Sequence, residues 1–319
     1  MTTPTAAEIA KVALVIWAAD VLVRKFWGFE GEFTDRTAGT FRDLSRPLFA
    51  VSGLLLLLVG YNDLGTMACL FVMLVGLLWA AGVRLRVFLG MGVVVALGVA
   101  ALVFLTNNDY RLNRISAFLN PGVDQQGDSY QVQQGFAAIA NGGWFGVGLG
   151  EGRVKWGWLP NGHNDFIFAV IAEELGVVGC LVVLALFAVL TYTGLRIAGR
   201  CTNPYRRLVA AGITALIAGQ AIINVAGVVG LMPVTGLPLP LISDGGSALV
   251  VTLAMIGMLA SFARAEPAAA QAIHARPPGR IGRLLWAPLP PLPVRRARAT
   301  EDDRGTTRGQ APRRYDQRG

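Results

Sequence analysis

Asp165 stands where a polar loop runs into a long apolar helix, in the stretch Leu159-Pro160-Asn161-Gly162-His163-Asn164-Asp165-Phe166-Ile167-Phe168. A carboxylate at a membrane boundary is costly to keep without a task. Its setting points to chemistry on a lipid-linked substrate. Other uses stay open. Asn164 or Asp165 could simply cap the helix that begins at Phe166. His163 alone reads as a loop residue making hydrogen bonds. Glu173 and Glu174 lie two turns deeper in the same helix. Glutamates so placed face protein or water rather than lipid, and hydrogen bonding between helices is their simpler role.

The loop that delivers Asp165 is long. Asn107–Asp165 is 59 residues, more than a passive connection needs. Ser129–Ala140 reads as a short amphipathic helix lying on the outer surface. The glycine run Gly142-Gly143-Trp144-Phe145-Gly146-Val147-Gly148-Leu149-Gly150-Glu151-Gly152 follows. It imitates a dinucleotide-binding pattern, but no strand precedes it and no βαβ unit surrounds it. Alternating glycines instead let the backbone fold tightly and approach a ligand or another helix. Arg111, Arg114, Arg153 and Lys155 are the cations on this side of the chain. Arginine suits bidentate phosphate contact. Anchoring to lipid headgroups is the plainer alternative for each.

The elements that must position these residues are apolar. Of 319 residues, 54% are hydrophobic and 15% charged, and the mean hydropathy is +0.52. An ordinary soluble domain is less greasy. The apolar residues fall in seven blocks, roughly Ala6–Val23, Pro47–Gly60, Leu64–Val83, Val87–Thr106, Phe166–Leu195, Leu208–Leu231 and Ser247–Ala263. The reading is an all-α polytopic membrane protein with about seven transmembrane helices and one long extracytoplasmic loop. The second block has 14 residues, short of the ~20 needed to cross. It is expected to be tilted or partly re-entrant and joined to the third by the tight turn Tyr61-Asn62-Asp63.

Lys and Arg mark cytoplasmic connections. Arg24, Lys25, Arg36, Arg42 and Arg46 follow block one, Arg84 and Arg86 follow block three, and Arg196, Arg200, Arg206 and Arg207 follow block five. These are alternate connections, so they share one side with the tail after block seven. The C-terminus is therefore expected in the cytoplasm and the first block is expected to start outside. No signal peptide or basic flank precedes that block. The plainer expectation is an odd number of further helices upstream.

From Arg264 to the end there are 12 arginines against 5 acidic residues, so most of the net charge of +8 sits in the tail. Residues 1–264 form the transmembrane domain, and 265–319 are expected to be a disordered Arg/Pro-rich tail drawn to anionic membrane lipid. Nucleic acid is not an expected partner, because no folded basic module or aromatic platform accompanies the arginines. Cys69, Cys180 and Cys201 are far apart and read as small apolar residues.

Four segments resemble the SEDS family (shape, elongation, division and sporulation) of membrane glycosyltransferases. Glu8-Ile9-Ala10-Lys11-Val12-Ala13-Leu14 resembles its "PSEFAKLAL", and Asp63-Leu64-Gly65-Thr66 its "PDLGT". Gly142–Gly152 with Leu159–Phe168 resembles "GGLFGxGLGxG…LPEAHTDFIF". Pro233–Ser247 resembles "PVTGLPLPFISYGGSS". The likeness spans about residues 6–264 and is greatest to actinobacterial members of the cell-division branch. It matches the family's helices four to ten, so the resemblance implies three further helices before the first block. Asn161, Asn62, Asp244 and Ala248 stand where the family has Glu, Pro, Tyr and Ser.

The resemblance implies a peptidoglycan glycosyltransferase that polymerises lipid II, a disaccharide-pentapeptide on undecaprenyl pyrophosphate, into glycan strands. It assigns the general base to Asp165, whose place at a helix N-terminus favours the ionised form. Lys11, Arg111, Arg114 and Lys155 become candidates for the leaving pyrophosphate, with His163, Ser243, Gly245 and Gly246 as further substrate contacts. Without that role Lys11 would snorkel to the surface. A divalent cation (Mg or Mn) could share the charge. A class B penicillin-binding protein transpeptidase and other division proteins are the implied partners. A lipid II translocator and a non-enzymatic division scaffold are the rival readings.

Overall fold

The computed structural model describes residues 4–26, 50–105, 128–152 and 162–275. The described residues are helical, without strands: α1 (Pro4–Phe26), α2 (Ala50–Asn62), α3 (Leu64–Ala80), α4 (Leu85–Leu105), α5 (Asp128–Gly142), α6 (Ile167–Arg200), α7 (Pro204–Val228), α8 (Gly246–Arg264) and α9 (Pro267–Ala275). Each of the seven apolar blocks has most of its length in one of these helices, with residues 47–49 and 106 outside the described residues. Three of them, α6, α7 and α8, are long and apolar enough to cross a membrane, while α2, α3 and α4 carry shorter apolar runs. The turn expected at Tyr61-Asn62-Asp63 is shorter: α2 runs through Asn62, and Asp63 alone separates it from α3. Asp63 caps α3, accepting from the Thr66 amide at 3.1 Å and the Thr66 hydroxyl at 2.5 Å.

α7 is the hub. It packs against α1, α3, α5, α6 and α8. Small residues let the neighbours in: Val72 sits on Gly219, Ala215 on Gly76, and Leu77 and Val15 on Gly212. Where lipid replaces water, close packing of this kind drives helix association. Leu14, Ala18 and Leu22 of α1, Leu70, Met73 and Leu77 of α3, and Leu208, Ile213 and Leu216 of α7 fill the main core. α6 and α8 turn large apolar side chains outward, among them Leu181, Leu186, Val189 and Val250. Such a surface is unfavourable in water and at home in hydrocarbon.

The contacts also sort the two ends. Leu77 lies beside Gly212 and Gly65 beside Thr235 and Leu237, so α3 and α7 are antiparallel. The Arg84/Arg86 end of α3 therefore meets the Arg206/Arg207 end of α7. Arg200 pairs with Glu266 at 3.1 Å, bringing the end of α8 to the same side. Asp165 is bonded to Asn224, one turn from the far end of α7. The basic residues and Asp165 thus occupy opposite ends of the bundle.

One expectation for the tail is corrected. The chain divides into two compact units, Met1–Glu266 and Pro267–Gly319, and the second begins with a helix where no structure was expected. Pro267 at the first helical position and the alanines that follow are strong helix starters and formers. The arginine- and proline-rich composition begins only at Arg276. Residues 276–319 lie outside the described residues.

Candidate functional site

Asp165 is fixed through its backbone. The three carbonyls of residues 163, 164 and 165 are each taken by a donor from another segment. The Asp244 amide donates to His163 O at 3.1 Å. The Ser243 hydroxyl donates to Asn164 O at 2.7 Å. Asn224 Nδ2 donates to Asp165 O at 2.8 Å and also to Leu237 O at 2.6 Å. Ser243 Oγ in turn accepts from the Leu239 amide at 2.7 Å. The loop before α8 is itself tightly wound. Leu241 adopts φ +67°, where a non-glycine residue is strained, and the Ser243 amide closes back on Leu239 O at 3.0 Å.

The next residue completes the anchor. Phe166 is 1% exposed and packs with Ala138 of α5, Ala169, Ala221 and Val228 of α7, and Leu239. Gly135 of α5 gives the ring room. Phe166 also occupies the cap position of α6 and offers no side-chain acceptor. Neither Asn164 nor Asp165 holds that position.

The glycine run serves α6 in an unforeseen way. α6 is broken at Gly176, which has φ +68° and ψ −166°. A break of this kind frees carbonyls before it and amides after it. The run repairs them. Val147 N donates to Glu173 O at 2.9 Å and Gly148 N to Glu174 O at 3.2 Å, while Val177 N donates to Gly143 O at 3.0 Å and Val178 N to Trp144 O at 3.2 Å. A Cβ at residue 146 would collide with the Glu174 carbonyl. The tight approach anticipated for these glycines is therefore to another helix. Glu173 and Glu174 lean toward Gly152, the end of the run, where a Cβ would come 2.8 Å from Glu173 Oε2. α5, expected as an amphipathic surface helix, runs Asp128–Gly142 with Ala138 buried against α6 and α7 and Phe136 and Ala137 exposed.

The candidate residues separate into three groups. His163, Asp165 and Ser243 come together, with Gly245 and Gly246 following directly as the cap and first residue of α8. Lys11 does not snorkel. It is 1% exposed and its ammonium meets Glu8 Oε1 at 2.6 Å. Arg111, Arg114 and Lys155, with Arg153, lie outside the described residues, as does Asn161. Among the described residues no three His, Cys, Asp or Glu side chains gather to hold a metal ion.

Asn224 and Gln220 were not singled out from sequence. Gln220 donates to Pro238 O at 2.9 Å from one turn before Asn224. A signal existed: two carboxamides four residues apart inside an otherwise apolar helix are expensive unless they bond to something.

The chain matches the FtsW/RodA/SpoVE family, described as cell cycle protein, over residues 4–267. It is 44% identical over 284 residues to the probable peptidoglycan glycosyltransferase FtsW of Mycobacterium tuberculosis, covering 89% of this chain and 52% of that protein. It is 40% identical over 254 residues to the protein of the same description from Geobacter metallireducens, covering 79% of this chain and 64% of the relative. The chain thus spans about half the length of the mycobacterial relative. A solved peptidoglycan synthase complex, described as coordinating polymerization and crosslinking, contains a chain that superposes with a TM-score of 0.60 and 28% identity, over 82% of this chain and 70% of that one.

Proposed function

This chain belongs to the FtsW/RodA/SpoVE family of cell cycle proteins and is a helical membrane protein, and we propose that it polymerises lipid II into glycan strands during cell division with Asp165 as general base. The observation that carries the reading is the anchoring of residues 163–166. Hydrogen bonds to the backbone carbonyls of residues 163–165 from the Asp244 amide and the Ser243 and Asn224 side chains, together with the Phe166 plug, hold Asp165 at the end of the bundle away from the basic residues.

In the proposed reaction the 4-hydroxyl of the acceptor sugar attacks C1 of the lipid-linked sugar of the growing strand. A C1–O bond forms and the bond from C1 to the pyrophosphate oxygen breaks. Undecaprenyl pyrophosphate leaves with the electron pair. A sugar hydroxyl is a weak nucleophile at neutral pH, and Asp165 takes its proton and then passes it to water. Arg111, Arg114 and Lys155 are assigned to the pyrophosphate charge on residue type alone.

Charge distribution supplies the orientation. Arg84, Arg86, Arg196, Arg200, Arg206, Arg207 and the tail belong in the cytoplasm by the positive-inside rule, which puts Asp165 on the outer face, where the lipid-linked sugar is polymerised. With the native cysteines replaced, Asp244→Cys should react with an impermeant maleimide added to intact cells, and Arg84→Cys should not. Labelling of the second alone would invert the topology and remove the reading.

A class B penicillin-binding protein transpeptidase is the proposed partner, in keeping with the description of the structural relative as a synthase complex. The test of function is reconstitution of the protein with such a partner and labelled lipid II in vesicles. Glycan strands should accumulate. Movement of lipid II across the bilayer without strands would replace this reading with transport.

A further inference from the structure

Asn224 is buried in α7, the most enclosed of the three candidate spans, at 4% exposure. A carboxamide has two N–H donors, and Asn224 gives Nδ2 to two carbonyls, those of Asp165 and Leu237. Its Oδ1 is enclosed with no partner among the described residues. A buried acceptor without a donor is unfavourable, so this side chain is retained there for its donors. Those donors join the residue proposed as base to the start of the loop that carries Ser243, Gly245 and Gly246.

We infer that Asn224 is a positioning residue for Asp165, fixing the height and rotation of its carboxylate by holding the carbonyl of the same residue. The inference rests on the reading of Asp165 as the base and deepens it. The first turn of α6 contributes no side-chain cap at Phe166, so the backbone before the helix takes its orientation from the tethers. Ser243 holds the carbonyl one residue earlier, and Asn224 holds the one that shares its peptide unit with Phe166. Loss of the Asn224 tether frees the carbonyl of residue 165 to rotate and carries the carboxylate with it. Misplacement of a catalytic group by about 1 Å can reduce turnover by about 10²-fold while leaving substrate contacts in place.

The test is steady-state polymerisation of lipid II by the full protein with its transpeptidase partner, comparing kcat and KM. Asn224→Ala should lower kcat by about 10- to 100-fold with KM within about threefold. Asn224→Gln, which keeps both donors, should recover part of that loss. Thr214→Val removes a buried hydrogen bond to Ala210 O on the same helix and should leave kcat within about twofold. In an Asp165→Asn background, Asn224→Ala should have no further effect on the residual rate. Additive losses in the double variant, or a kcat loss that only follows the fraction of folded protein, would assign Asn224 a structural role instead. Should Asn224→Ala not fold, Asn224→Ser, which keeps a polar group but is too short to reach both carbonyls, must show the same loss in kcat with KM held, and an unchanged kcat there overturns the tethering. Full activity in Asp165→Asn alone would instead defeat the base assignment, leaving a different signature from a failure at Asn224.

Discussion

Glu8 and Lys11 form a buried ion pair one turn apart on α1, with side chains 10% and 1% exposed. The lysine was conspicuous in the sequence as a cation inside an apolar block, but block periodicity could not say which way it faces. Its partner three residues earlier decides the matter, because an ammonium that finds a carboxylate at 2.6 Å has no reason to reach the surface. Breaking such a pair leaves one buried charge uncompensated, whereas replacing both partners with apolar residues is often tolerated. Glu8→Gln should therefore destabilise the folded protein by about 3 kcal/mol, and the double variant Glu8→Leu/Lys11→Met should recover most of it. Thermal unfolding in detergent measures both. Equal destabilisation by the double variant would show that the pair contributes more than mutual compensation. Asp165 stands out by its position at the entrance to an apolar helix, but position leaves capping open, and only the family resemblance makes it a base. Asn224 was less conspicuous, because its partners are backbone carbonyls 59 and 13 residues away, and carbonyls leave no mark in a sequence.

The broken helix α6 shows how one element depends on another. Apolar composition predicted a span starting at Phe166, and the span is present. The interruption at Gly176 was not anticipated, because a single glycine in an apolar run is commonplace. What distinguishes it is the partner run of alternating glycines 30 residues earlier, whose amides and carbonyls meet those freed by the break. The run's unusual composition was visible, and its close approach to a helix was one of two open alternatives. Only the pairing decides between them. Gly146 has φ +79° and faces the Glu174 backbone without room for a side chain. Gly146→Ala should destabilise by more than about 2 kcal/mol through strain and overlap. The expected readout is earlier proteolysis in the 143–148 segment, with the transmembrane core retained. Protection equal to the parent protein would mean that the run does not hold the break closed.

At the scale of the molecule, α7 is surrounded and most of α6 and α8 is outward-facing. The order of helices and their apolar blocks was readable from hydropathy, since each block had to bury its backbone hydrogen bonds in a helix. Which helix becomes the hub was not readable, because α6, α7 and α8 are all apolar enough to span. The small residues of α7 and α3 explain the choice after the fact. Gly76 faces Ala215, and Gly219 receives Val72, so these two helices approach closely. Gly76→Leu should force them apart and destabilise by about 1–3 kcal/mol, seen as a lower Tm in detergent. An unchanged Tm would place the two helices at a looser spacing than the structure has. The bundle holds Asp165 at the end away from the basic residues, braced by α5, α7 and the loop before α8, and the account stands on what that carboxylate does. The direct measurement is the rate of glycan-strand synthesis by Asp165→Asn alongside its affinity for lipid II. The account predicts a fall in kcat of at least about 10²-fold, within the range expected for losing a general base, with lipid II binding unchanged within about threefold. Strand synthesis at the parental rate by that variant would contradict it.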